Sequence, residues 1–552
     1  MNNVYRRGIS LIVLVITIII MIILATAIIL SLNGGHIIEK AGEAKTNNNI
    51  LSMKEKYNML LAEKMLKGES ISEFSAKEKE GILGDYEGKV DIVFGNLMIT
   101  GVVSDDERNE LKKQGIPDST NYNSNKKVNK PLLPEGNSIS AISWPSGVET
   151  TADSNTDTWY NYASSATDNN NKNWANMKTA DGSYWVWIPR YAYKITSGYR
   201  GEGIAEDSTE YYGTIDVKFL IGTSDVATDG TKCVRGNLAG SKYVVHPAFT
   251  FGDVELEGIW VAKYKARSSV DVTEFDDTTP DIIINNEKTM WQKMNIGNMF
   301  TKCREMETKP IYGWNNVSSG INSDSTDTTN NKIDTHMMKN TEWGAVAYLT
   351  TSNYGLKHNK VVVSGSYSNI YKNELTKPYY GYPSTSGNIY GIYQMTGVNS
   401  EYVVALTKNT TTGSIYGADE LCNSLKMANE KYKNMYLTKD IGNTSETIIG
   451  RKAVYGDATT EVMIERLNQY NNIIRSLWYR DGIYLQYSDR GGNFITRGGH
   501  SKGVSYSDDN SSGNSLSTYL IGLYASSYAI GGYRQYVGMN SFRPVLLVNS
   551  SI

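Results

Sequence analysis

The stretch Ser183–Ile195 (SYWVWIPRYAYKI) decides the fold. Trp and Tyr alternate with aliphatics along it, which is the pattern of a strand. Working outward, Leu256–Ala266 (LEGIWVAKYKA) is a second strand. His336–Gly355 (HMMKNTEWGAVAYLTTSNYG) reads as a helix, capped near Asn340 and Thr341 and stopped at Gly355. Gly387–Leu406 (GNIYGIYQMTGVNSEYVVAL) is rich in glycine turns, and the chain closes on Phe494–Gly503 (FITRGGHSKG) and Ser541–Val548 (SFRPVLLV). The composition agrees, with 39 Tyr and 10 Trp against 9 Phe, and 50 Gly against 11 Pro. That balance suits an α+β protein with half-wet strands and tight turns rather than a helical bundle.

The chain has 552 residues, enough for more than one folded unit. Lys and Arg number 55 against 58 Asp and Glu, a formal net charge of −3. A general nucleic-acid binder needs a basic footprint to displace counterions, so that class is excluded. Three cysteines exclude a scaffold built on disulfides and leave at least one thiol unpaired. Nothing in the spacing of Cys233 and Cys303 shows a bridge between them.

Ile9–Leu32 is an uncharged run whose apolar character is broken only by Ser10, Thr17, Thr26 and Ser31. At about 1.5 Å per residue a helix of this length crosses a bilayer. Arg6 and Arg7 precede it, which puts the N-terminus in the cytoplasm and everything after Leu32 outside the cell. The run lacks a small-x-small cleavage site at its far end, so a plain signal anchor is the simplest reading. Beyond it, residues 33–115 read as a stalk and a small hairpin region. Asn33-Gly34-Gly35 breaks the helix, and Ile37–Lys67 then places Ile50, Met53, Tyr57, Leu60, Leu61 and Met65 near one stripe. Val90–Val103 predicts two strands around Gly95-Asn96, followed by a short helix with Ser104 as N-cap and Gly115 as its end. Residues 116–180 read as polar linker and loops with isolated tryptophans at 144, 159 and 174. The large outer domain is expected over 181–552.

Two resemblances sharpen this picture. The junction RRGISLIVLVITIII resembles the leader of type IV prepilins and pseudopilins, in which a prepilin peptidase cuts between a Gly and the first apolar residue. Gly8 and Ile9 match those places, so residues 1–8 would be the leader and 9–32 the transmembrane helix of a pilin-like chain. The family usually carries Glu at the fifth mature position, where it pairs with a neighbouring pilin's N-terminal amine; here that residue is Val13. A minor subunit at a pilus tip tolerates that loss.

The outer segments, in order, resemble the formylglycine-generating-enzyme-like (sulfatase-modifying-factor) domain, a version of the C-type lectin fold. Its early strand resembles Trp185–Pro189, and its strand ending in lysine, aromatic and acid resembles Lys263-Tyr264, with Lys265 at the acid's place. Its TEAEWEYA helix resembles Thr341–Tyr348. Its N-x-[FY]-G-[LI]-Y-D-M segment resembles Asn388–Met395, with Gln394 for the Asp, followed by Glu401-Tyr402. Its RGGSW resembles Arg497–His500, and its closing GFR resembles Ser541–Arg543. The oxidising members hold copper on a cysteine pair after RGGSW. This chain has no cysteine after Cys422, so an extracellular modifying enzyme is disfavoured and no catalytic residue is assigned. The histidines (36, 246, 336, 358, 500) are scattered singly, and no metal motif is present.

Trp478–Tyr536 is dense in Tyr, with Asn, Ser, Asp and Gly filling most of the rest. That mixture resembles an antibody paratope, rigid aromatics with adaptable polar partners, and resembles the variable loops of lectin-fold proteins of diversity-generating retroelements. The candidate ligand-binding residues are Trp478, Tyr479, Arg480, Tyr484, Tyr487, Tyr506, Asp508, Asn510, Tyr519, Tyr524, Tyr528, Tyr533 and Tyr536. Tyr packed flat on a surface of polar loops explains the same residues. No cofactor is required; Asp324–Asp327 and Asp508–Asn510 carry oxygens suited to Ca²⁺ but lack EF-hand spacing. The sequence therefore supports a single-pass membrane protein of the bacterial surface, a prepilin-like adhesin that binds a glycan or protein. A minor pilin with a purely structural or assembly role, partnered by other pilins, is the alternative.

Overall fold

The computed structural model describes residues 36–552, apart from 71–73, 94, 120–121, 124–126, 157, 165–171, 200–212, 237–241, 288–289, 292–293, 315–332, 358–383, 397–399, 410, 416–418, 439–454, 460, 468–472, 479–482, 485–493, 500–521, 530–539 and 549–552. The leader with Gly8 and Ile9, and the apolar run 9–32, lie outside these residues. Among the described residues no helix is long and apolar enough to cross a membrane. The chain divides into two compact units, Met1–Thr120 and Asn121–Ile552, and its described residues are α+β in both.

The first unit is built on helix α1 (His36–Lys67). Of its predicted stripe, Ile50, Met53 and Tyr57 are buried, Leu60 and Leu61 are half-buried, and Met65 is exposed. They pack on α2 (Ala76–Leu83), the hairpin β1 (Val90–Val93) and β2 (Asn96–Ile99), and α3 (Asp105–Lys113). Tyr57 bridges helix and hairpin by donating to the Gly95 carbonyl at 2.5 Å. Ser104 caps α3, its hydroxyl accepting from the Glu107 N–H, with Asp105, Asp106 and Glu107 in the first turn to oppose the helix dipole.

The second unit centres on a seven-stranded sheet. Its strands are β3 (Ser140–Ser143), β4 (Thr150–Thr151), β5 (Asn176–Lys178), β6 (Tyr184–Pro189), β10 (Gly258–Ala262), β11 (Ile333–Met337) and β17 (Pro544–Val548), in the order β11-β17-β10-β6-β5-β3-β4. The stretch quoted first is the middle of it. Trp185, Val186, Trp187 and Ile188 are all fully buried, so β6 is covered on both faces and carries no polar side. Gly258 pairs with Pro189 and lies under the Trp187 ring; a Cβ there would lie 2.3 Å from the indole, so only glycine fits. Pro189 ends the strand, and Arg190 turns the chain into a second, three-stranded sheet of β7 (Tyr191–Ser197), β8 (Thr214–Phe219) and β9 (Val244–Val245). The buried Arg190 guanidinium holds that corner, donating to the Ser224 and Phe249 carbonyls and pairing with Asp225 at 3.0 Å and Glu255 at 2.7 Å.

Residues 116–180 correct the linker expectation. They supply β3, β4 and β5 of the main sheet, and Trp144, Trp159 and Trp174 are core residues. The expected helix starts where its cap was read: α4 runs Asn340–Thr351, every residue of it buried, ending four residues before Gly355, while His336 and Met337 belong to β11. Glu342 accepts the Lys339 N–H at 2.7 Å and closes its first turn. Gly344 approaches Gly456 so closely that a Cβ would meet the Gly456 carbonyl oxygen at 1.8 Å. Cys233, Cys303 and Cys422 form no disulfide.

Candidate functional site

The Tyr-rich region is carried by a third sheet of β12 (Ser400–Tyr402), β13 (Ile483–Tyr484), β14 (Phe494–Gly498), β15 (Gly522–Ala529) and β16 (Asn540–Ser541), ordered β13-β15-β14-β12-β16. β14 runs antiparallel to both neighbours, pairing Glu401 with Arg497 and Thr496 with Ser527. β16 is parallel to β12. The end of β14 and the starts of β12, β15 and β16 therefore share one end of the sheet. The connection from Gly498 to Gly522 leaves and returns there, where the register slips between Arg497 and Gly498 and both Gly498 and Gly499 take left-handed φ of 80° and 73°.

That connection contains Tyr506, Asp508, Asn510 and Tyr519, and the connection with Tyr533 and Tyr536 re-enters at the same end as β16. All six lie outside the described residues, as do Tyr479, Arg480, Tyr487 and the acidic stretch 324–327. Tyr484 and Tyr528 are placed by their backbone on β13 and β15, their side chains outside the description.

Two of the candidates are corrected. Trp478 and Tyr524 are fully buried. The Trp478 indole donates to the Gly198 carbonyl at 3.0 Å and lies 5.5 Å from the Tyr524 ring. The Tyr524 hydroxyl is 2.7 Å from the Thr351 hydroxyl on α4. Each polar tip is satisfied inside, so both side chains anchor the sheet to the core and present nothing to a ligand.

The residues that carry the family resemblance are also interior. Arg543 grips Glu401 with two bonds, Nη2 to Oε1 at 2.8 Å and Nε to Oε2 at 3.0 Å, and donates to the Ala262 and Tyr393 carbonyls. Lys265, at the place of the family's acid, stands 3.5 Å from the same carboxylate, and all three side chains are buried. Arg497 donates to the carbonyls of Asp457 and Ala458 and lies over the Trp343 ring.

Beneath these, Glu461 accepts the hydroxyls of Tyr193 at 2.8 Å and Tyr348 at 2.7 Å and the Gly456 N–H at 2.8 Å. Burial pushes its carboxyl up to about 7. Sequence patterning missed this cluster because its members come from three separated segments.

His336 sits between two carboxylates, Nδ1 2.7 Å from Asp334 and Nε2 3.0 Å from Glu342, with Phe251 stacked on the ring at 5.2 Å. Burial opposes its charging, but Glu342 and Asp334 outweigh burial and its pKa is raised. Neither ring nitrogen is open to a substrate. Burial drives His246 the other way, down to about 3, and its Nδ1 accepts the Ala248 N–H. Burial also holds the Cys233 thiol up at about 12 and the Cys303 thiol well above its ordinary range, so neither is a thiolate at neutral pH. Among the described residues no group of three or more His, Cys, Asp or Glu is placed to hold a metal ion. Compared with known protein families and with curated proteins, the chain matches none.

Proposed function

We propose that the protein is a surface-displayed, prepilin-like adhesin or ligand-binding protein. Its apolar helix anchors it, and a C-type-lectin-like outer unit binds a glycan or protein without covalent chemistry. The observation that supports this most is the topology of the five-stranded sheet, which returns two Tyr-bearing connections, one of them also rich in Asn, Ser and Asp, to one end. The buried state of Glu401, Arg497 and Arg543 supports a binding role over chemistry, since those groups serve the scaffold.

Replacing Tyr506, Tyr519 and Tyr533 together by Ala in cells displaying the full chain should leave surface display intact and weaken target binding by about tenfold to hundredfold. Cell adhesion to a glycan and protein array is the readout, and unchanged adhesion sinks the paratope. Gly8→Ala should block removal of the leader on co-expression with a prepilin peptidase. The wild-type chain then runs shorter than the variant by eight residues; equal masses would favour a plain signal anchor.

A further inference from the structure

In the second unit, Lys263 follows β10 and Asn176 opens β5, two strands separated only by β6. Asn176 pairs with Val186, which pairs with Val261, and Lys263 lies two residues past Val261, its N–H donating to the Tyr184 carbonyl at 2.9 Å. The Lys263 and Asn176 side chains are both fully buried. The Lys263 amine donates to the Asn176 side-chain oxygen at 2.7 Å and to the Ile389 carbonyl at 2.5 Å. Trp144 and Tyr393 wall it in, their rings 4.6 Å and 5.6 Å from Nζ. The Asn176 amide nitrogen is fixed as well, donating to the Trp174 and Tyr390 carbonyls at 2.9 Å and 2.8 Å.

We propose that Lys263 and Asn176 form an intramolecular isopeptide bond. The Nζ lone pair bonds to the Asn176 side-chain carbonyl carbon, and the bond from that carbon to Nδ2 breaks. One Nζ hydrogen passes to Nδ2, which leaves as ammonia from beside the two carbonyls that hold it. Atoms and electrons balance with no oxidant or co-reactant. The reaction needs an uncharged amine, and burial holds Lys263 well below its ordinary range, the Glu149 charge opposing this only in part. It also needs amine and amide fixed against each other, which the hydrogen bonds of the Asn176 amide and the two aromatic walls supply. A covalent tie here would join β10 to β5 across β6 in a unit whose cysteines form no disulfide.

The test is tryptic digestion of the full wild-type chain with mass spectrometry. A linked Lys263 resists trypsin, so the expected product is Asn173–Lys178 joined to Tyr243–Lys265. It should be lighter than the sum of the two peptides by about 17 Da, the mass of ammonia. Asn176→Ala and Lys263→Arg should each abolish that species. Recovery of unlinked Asn173–Lys178, with ordinary cleavage after Lys263, from the folded wild-type chain overturns the proposal. That result does not depend on whether either variant folds.

Discussion

Glu401→Ala is expected to lower the stability of the second unit by about 3–5 kcal/mol. The variant leaves Arg543 and Lys265 buried with no carboxylate, and the loss of a partner costs far more than the intact pair contributes. Domains of this kind are stable by about 5–15 kcal/mol, so the variant should sit near its unfolding threshold. Arg543 also joins distant parts of the chain, since its other bonds reach Ala262 on β10 and Tyr393. Lys265→Met should cost much less, because Arg543 already holds both carboxylate oxygens. Urea denaturation followed by Trp fluorescence compares the three proteins; a loss below about 1 kcal/mol for Glu401→Ala would show that the charges relax to water.

The second large effect is on pH dependence, through Glu461. Its folded pKa, about 7, lies above the ordinary value of 4.5, chiefly because burial disfavours the carboxylate. The Asp457 charge adds to this, while the Tyr348, Tyr193 and Gly456 bonds work against it. The folded state therefore holds this proton more tightly than the unfolded chain. The stability it confers is complete below pH 4.5 and is lost as pH rises through 7. Between pH 4.5 and 8 this amounts to roughly 3 kcal/mol. Glu461→Gln cannot titrate and keeps an oxygen for the Gly456 N–H. The difference in unfolding free energy between wild type and variant should therefore shift by about that amount across this range, in the variant's favour at high pH. Taking the difference cancels the titrations of His336 and Asp334. Parallel pH profiles would mean that Glu461 stays ionised or exchanges with water.

Where a residue's role was set by its near neighbours, the sequence was readable. The Ser104 cap, the Gly95 hairpin and the β6 and β10 strands all follow from local pattern. Residues 116–180 misled because polar side chains there do interior work. Asn129 donates to the Gly222 and Glu257 carbonyls, and Asn176 to Trp174 and Tyr390, so asparagines that suggest loop are buried and satisfied. Tyr524 misled for the same reason, since a tyrosine with an internal hydroxyl partner looks in sequence like one that faces water. The Lys263–Asn176 pair was invisible because nothing local in a lysine 87 positions from an asparagine announces their contact.

The position of β17 has a consequence for biogenesis. This strand ends at Val548, yet it lies between β11 and β10 and pairs with both. Until it arrives, the two strands it joins have open edges and the aromatic centre around Trp185 and Trp260 has no closing wall. A chain made from its N-terminus onward cannot finish this unit before Val548 has emerged. Contacts of such long sequence separation also fold slowly. Until then the partly emerged chain is open to pairing with its neighbours, so the order in which these strands appear makes this unit vulnerable to aggregation during synthesis.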